Sequence, residues 1–142
     1  EVKRLTALSS TAMREGLVLA MLTHREGITG DPVAALRLCK SVPGLGLTLD
    51  PSHFVAGGAK ESDVDQLFPY VQNMHLRDTG KHPGEVQGRI GQGQIEYARI
   101  ANLLNRAGYK RALTVAILDL PENNFDREVE VRKLRLLLET LL

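Results

Sequence analysis

The chain has 142 residues, with 18 basic and 17 acidic side chains mixed along its length and a formal net charge of +1. That balance argues against nucleic acid or an anionic membrane as the main partner, and no apolar run reaches the roughly 18 residues a membrane span needs. At 43% hydrophobic and 25% charged the composition is that of a soluble globular protein. Aromatics are only 4%, without tryptophan, so an aliphatic core is expected.

Residues 2–15 carry Val2, Leu5, Leu8, Ala12 and Met13 at helical spacing, and Gly16 stops that helix. Leu17 to Thr23 reads as a buried strand, followed by the loop His24-Arg25-Glu26-Gly27. Asp31-Pro32 is a helix start, a capping acid before proline, for a helix running to about Ser41 and stopping at Pro43-Gly44. Leu45 to Leu49, too short for a helix and too apolar for a loop, predicts a second strand buried on both faces. It ends abruptly in Asp50-Pro51-Ser52-His53. A Gly57-Gly58 loop and a short helix around Ser62 to Phe68 lead to a third strand, Val71 to His75, closing in His75-Leu76-Arg77-Asp78.

Thr79 to Gly93 is long, polar and glycine-rich. A helix from about Gln94 shows Ile95, Ala98, Ala101, Leu104 and Ala107, with Gly108 as its stop. Leu113 to Leu118 predicts a fourth strand, and Asp126 caps a last helix bearing Val129, Leu134, Leu137, Leu138 and Leu141. The leucines from Leu134 to Leu142 span too few heptads for a coiled coil and fit an outer helix instead. Cys39 is alone and falls in a helix, so no internal disulfide forms and a reducing, cytoplasmic compartment is expected. The first residues show no signal-peptide pattern, and the sequence opens at Glu1, as a trimmed chain or a piece of a longer one would.

The order α-βα-βα-βα-βα implies right-handed crossovers and a parallel sheet. All four strands are strongly apolar, which suits a ring without edges better than an open sheet with polar or short edge strands. The first βα turn lacks a nucleotide-binding fingerprint. The expected fold is therefore α/β, one half-barrel domain of about four βα units over residues 1–142. Its concave face, expected to be apolar, needs cover, most simply from a second copy in a homodimer or a higher homo-oligomer.

In such folds chemistry gathers at the carboxyl ends of the strands. Asp50 and His53 stand there together, as a metal-and-substrate pair or as a loop-capping acid with a histidine bonded to it. His75 fits either a ligand or a packed strand histidine, whereas His24 and His82 fit solvated loop residues. Arg89-Ile90-Gly91-Gln92-Gly93 before a helix is either an anion site of glycine amides or a plain turn. Arg77 and Lys81 are further candidates for sugar or phosphate contact.

Leu47-Thr48-Leu49-Asp50-Pro51-Ser52-His53, Met74-His75-Leu76-Arg77-Asp78, Arg89 to Tyr97 and Ala107-Gly108-Tyr109 occur in an order and spacing that is fairly specific as a set. Together they resemble the sugar phosphate isomerase/epimerase superfamily, the xylose isomerase-like TIM barrels that include tagatose-type epimerases and endonuclease-IV-like proteins. The resemblance covers the whole chain and corresponds to strands five to eight of such barrels. It implies a divalent manganese, magnesium or zinc ion held by two glutamates, an aspartate and a histidine. Asp50 and His75 match the last two as metal ligands, and His53, Arg77 and Arg89 fall at substrate-contacting places. Leu22 and Ala116 stand where the two glutamates belong.

Two ligands are too few for a tight octahedral site. Glu26, Asp78, Asp119 and Glu122 are nearby acids, none at the spacing of the lost positions. No residue is assigned as catalytic, and no cofactor is expected beyond a weakly held divalent metal. The expected role is a self-associating structural half-barrel with a degraded metal site, a small sugar or sugar phosphate being its expected small-molecule partner. The rival reading is a metal-dependent isomerase or epimerase, active as an oligomer or as one half of a split enzyme.

Overall fold

Four parallel strands lie side by side in sequence order, and that order decides the architecture. The computed structural model describes residues 1–121 and 123–141, so Glu122 and Leu142 lie outside the described residues. Helix α1 (Val2–Arg14) leads into β1 (Ala20–Leu22), α2 (Pro32–Ser41) and β2 (Gly46–Leu49). Two short helices follow, α3 (Pro51–Ala56) and α4 (Glu61–Asp65), then β3 (Val71–Leu76), α5 (Tyr97–Arg106), β4 (Leu113–Val115) and α6 (Arg127–Leu141). The sheet order is β1-β2-β3-β4, parallel throughout. Nucleotide-binding open sheets reverse direction at a switch point. Here each right-handed crossover steps the same way, so the helices collect over one face, as in a TIM barrel.

The core lies between that face and the helices. Leu47, Leu49, Val71, Met74 and Leu76 project from the two central strands. They meet Ala35 and Cys39 of α2, Phe54 of α3, Ile100 and Leu104 of α5, and Leu134 and Leu138 of α6. The buried positions of α5, Tyr97, Ile100 and Leu104, recur at the helical period. Burial pushes the Cys39 thiol up to about 11, so the lone cysteine behaves as a small apolar core residue.

Gly16 and Gly108 end α1 and α5 at φ 70° and 68°. In each case the next amide reaches back five residues, Leu17 to the Ala12 carbonyl and Tyr109 to that of Leu104, both at 2.9 Å. This left-handed stop is the one the sequence predicts.

The strands are shorter than the apolar runs that announce them. Leu17 and Val18 precede the ladder, whose first contact is Gly46 N donating to the Leu19 carbonyl, because upstream of Gly46 the chain turns at Pro43-Gly44. Beyond β4, Leu118 bonds a side chain instead of a strand: its N–H donates to Gln87 Oε1 at 2.7 Å and its carbonyl accepts from Gln87 Nε2 at 3.0 Å. Helix α3 is unforeseen by the sequence reading, yet its start signal is the one used for α2. Asp50 accepts from Ser52 N at 3.1 Å as Asp31 accepts from Val33 N at 2.9 Å.

The uncovered face of the sheet also differs from expectation. Strand alternation turns Leu22, Thr48, Asn73, His75 and Thr114 to it, opposite the core residues. Of these, Leu22 alone is a large apolar side chain, and it is 45% exposed. The open face is mixed and mostly polar, not an apolar surface in need of cover.

Candidate functional site at the carboxyl ends of the strands

Where β1, β2 and β3 end, six polar side chains are buried together: Thr23, Asp50, Ser52, His53, Arg77 and Asp78. Asp50 leaves β2 as the N-cap of α3, which fixes its carboxylate over the first turn of that helix. Oδ1 accepts from Ser52 N and, at 2.6 Å, from Ser52 Oγ. Oδ2 is in a fully buried ion pair with Nη2 of Arg77, which arrives from the end of β3. Arg77 Nε donates to Ser52 Oγ at 3.0 Å. The backbone N–H of Asp50 donates to Thr23 Oγ1 at 2.8 Å, tying β1 to the same point.

His53 closes the cluster. Its Nε2 lies 3.2 Å from Arg77 Nη2 and 3.9 Å from Asp50 Oδ2, and its ring stands 4.3 Å from that of His24. A guanidinium only donates, so Nε2 is the acceptor and the network assigns the proton to Nδ1. His53 Nδ1 and Arg77 Nη1 are then buried donors with no acceptor among the described residues. Burial pushes the His53 pKa down to about 4. The Asp50 carboxylate opposes this, while Arg77, His24 and Arg25 reinforce it. The imidazole is thus neutral at pH 7.

A base whose folded pKa lies below its unfolded value near 6.5 stabilises the fold above that value and loses the contribution as pH falls toward 4. The unfolding free energy is expected to drop by up to about 3 kcal/mol from this group alone between pH 7 and pH 4. Urea titrations across that range check it: His53→Gln should flatten the decline, and an unchanged slope would show that His53 is not its source.

Asp78, the next residue after Arg77, organises the long loop. Its carboxylate accepts from four backbone amides: Thr79 at 3.0 Å and Ile95 at 3.2 Å on Oδ1, and Gly91 at 2.7 Å and Gly93 at 3.2 Å on Oδ2. Gln94 N donates to Thr79 Oγ1, Ile90 N to Glu130 Oε2, and Gln92 N to the Arg89 carbonyl. Every amide from Ile90 to Ile95 therefore has an acceptor inside the protein. The amides of the glycine-rich loop, which from sequence fit either an anion site or a plain turn, are turned to the protein's own carboxylate, Asp78. Gly93 is required by the close approach: a Cβ there would stand 2.2 Å from Asp78 Oδ1.

Among the candidates from sequence, the structure brings Asp50, His53 and Arg77 into one cluster. His75 is half-buried on the open face of β3, one residue beyond the Leu49–Met74 ladder pair. Arg89 is apart from the cluster, exposed, with Nη2 donating to the Asn124 carbonyl at 2.8 Å. Glu26 and Asp119 are turned outward toward Arg25 and Arg127, and Glu122 lies outside the described residues.

Thr23, Ser52 and Glu130 are site-building residues that the sequence reading missed. Glu130 is buried on α6, bonded to Ile90 N and Lys133 Nζ. Its signal was an acid placed four residues before Leu134 on the buried stripe. The loops above this end of the sheet enclose a polar cleft of about 660 Å3, lined in part by Arg25, Lys81, Gln87, Arg89, Asn123 and Asn124.

Comparison with known proteins accords with this architecture. The chain superposes on a xylose isomerase-like TIM barrel protein from Mycobacterium smegmatis, determined in complex with magnesium, with a TM-score of 0.74 and 18% identity, over 99% of this chain and 49% of that one. An L-ribulose 3-epimerase structure gives a TM-score of 0.72 at 19% identity, over 99% and 53%. A xylose isomerase domain protein from Alicyclobacillus acidocaldarius gives 0.73 at 21%, over 97% and 55%. The chain thus spans about half the length of the structures it matches, and at these identities the likeness is one of fold. No curated protein sequence matches the chain. The sequence profile described as "Xylose isomerase-like TIM barrel" matches residues 1–137. With the sequential parallel sheet, this establishes that the chain belongs to the xylose isomerase-like TIM barrel family.

Proposed function

We propose that these residues form a barrel half that closes by pairing with a second copy, and that its role is structural and ligand-binding rather than metal-dependent isomerisation. The observation that carries the assembly reading is where apolar side chains stay exposed. Val2, Leu8, Met13, Leu17, Val18 and Leu22 belong to α1 and the β1 edge. Leu118, Val129, Val131 and Leu136 belong to the opposite edge, β4 to α6. Among the described residues, β2, β3 and α3 to α5 expose no large apolar side chain; the two others that stay exposed, Ile28 and Val33, flank the start of α2. The exposed apolar side chains thus gather at both outer edges of the sequential sheet and not along its central strands. This supports edge-to-edge closure, β1 of one copy beside β4 of the other about a two-fold axis.

The metal reading meets an obstacle of charge. Both oxygens of Asp50 are engaged, one by Ser52 and the other by Arg77. A divalent ion at that carboxylate would face a buried guanidinium, and Leu22 and Ala116 offer no compensating charge. As arranged, these residues do not fit a divalent ion, and no chemical step is assigned through one.

Leu17 is 64% exposed, so Leu17→Asp should leave the single copy folded. Together with Val18→Asp it is expected to shift the species seen in sedimentation velocity from dimer to monomer, without loss of the circular dichroism signal. A wild-type chain that sediments as a monomer at 100 μM would overturn the assembly reading.

A further inference from the structure

We infer that charge aligns the seam between two copies: at its amino end, Glu15 of one copy sits against Lys110 and Arg111 of the other. This rests on the reading that two copies close edge to edge, and goes beyond it to what sets their direction. In a parallel pair both strands enter the sheet from the same end. With β4 of one copy beside β1 of the other, the residues that lead into the two strands come together. Those are Lys110-Arg111-Ala112 before Leu113, and Glu15 to Leu19 before Ala20.

Glu15, Lys110 and Arg111 are all exposed, and within one copy none has an ion-pair partner among the described residues. Glu15 is the C-cap of α1, where the helix dipole disfavours a carboxylate. Its basic neighbour Arg14 turns instead to Thr11 Oγ1 at 3.1 Å. Lys110 and Arg111 are adjacent like charges on a cleft shared with Gln72 and Tyr109, and no acid among the described residues lines it. The other end of the seam carries the reverse order. Beyond β4 stands an acid, Asp119, and beyond β1 a cation, Arg25. Their ion pairs within the chain are exposed ones, to Arg127 at 3.3 Å and to Glu26 at 4.0 Å. Parallel closure therefore sets opposite charges together at both ends of the seam. Antiparallel pairing of β4 with β1 would set like charges together at both. Exposed pairs add little strength, which the apolar Leu17 and Val18 supply. Charge at the rim of an interface instead fixes register and excludes wrong arrangements.

The test is a charge swap read by sedimentation equilibrium at low salt. Lys110→Glu with Arg111→Glu in one chain, and Glu15→Arg in another, should each weaken the homodimer at least about tenfold. An equimolar mixture of the two should dimerise like wild type, because both seams of the mixed dimer again join opposite charges. High salt should shrink the loss in each variant. Lys40→Glu, an exposed cation at the end of α2 and away from both edges, should leave the dimer unchanged. All the replaced side chains are exposed, so the circular dichroism signal should be kept throughout. Variants that dimerise like wild type, or a mixture as weak as its parts, would overturn the charge alignment and leave the dimer standing. A wild-type chain that is monomeric at 100 μM would overturn the assembly reading and this inference with it.

Discussion

Replacing Arg77 with methionine is expected to destabilise the protein by about 3–5 kcal/mol, the range for removing one partner of a buried ion pair. The side chain length is nearly kept, so the loss is electrostatic and not a cavity. Asp50 would remain fully buried, with Ser52 as its sole side-chain donor, and Ser52 Oγ and His53 Nε2 would each lose the donor that Arg77 provides. The double variant Arg77→Met, Asp50→Asn should cost clearly less than the sum of its parts, because it removes both charges together and leaves a neutral amide where Ser52 still donates. Equilibrium urea unfolding of the four proteins gives the cycle. A coupling of at least about 2 kcal/mol is expected, and additive single losses would show that the pair does not hold the β2 and β3 ends together.

Asp78→Ala is expected to cost about 4 kcal/mol or more, since four amide donors lose a charged acceptor and hydrogen bonds to charged groups contribute roughly 1.5–3 kcal/mol each before non-additivity. Asp78→Asn keeps one carbonyl oxygen but points an amide NH2 at two N–H donors, so about half of that loss should remain. Because the same carboxylate gathers Gly91, Gly93 and Ile95, the damage should be local as well as global. Amide hydrogen exchange over residues 89–96 should rise by orders of magnitude in the Ala variant even under strongly native conditions. Protection retained there would mean that the loop is ordered by Thr79 and Glu130 without Asp78.

Much of the fold is legible in the chain. The α-βα-βα-βα-βα order, the apolar runs at Leu47 and Met74 and the stops at Gly16 and Gly108 all follow from local chemistry. What escaped was set by partners distant in sequence. Leu17, Val18, Ile117 and Leu118 have strand-forming side chains, but only a neighbouring ladder makes a strand, and at both edges that neighbour is missing or replaced by Gln87. Asp50-Pro51 carries the same helix signal as Asp31-Pro32, yet the sequence reading weighs Asp50 only as a ligand or as a cap of the loop; in the structure it caps α3.

The site was half legible. Asp50, His53 and Arg77 were each singled out, but that Arg77 reaches Asp50 across 27 positions depends on adjacent parallel strands in register. The glycine-rich loop fits either an anion site or a plain turn, and nothing local to Arg89–Gly93 reveals that its amides are taken by Asp78.

On the proposed reading a second copy completes the barrel half, and a guanidinium stands where the family resemblance implies a divalent metal. Native mass spectrometry of the wild-type chain in a buffer containing manganese, magnesium and zinc reads both parts at once. Twice the chain mass with no stoichiometric metal is expected. A dimer carrying one metal per chain would contradict the reading of Asp50 and Arg77, and a monomer at 100 μM would contradict the closure of the sheet by its own edges.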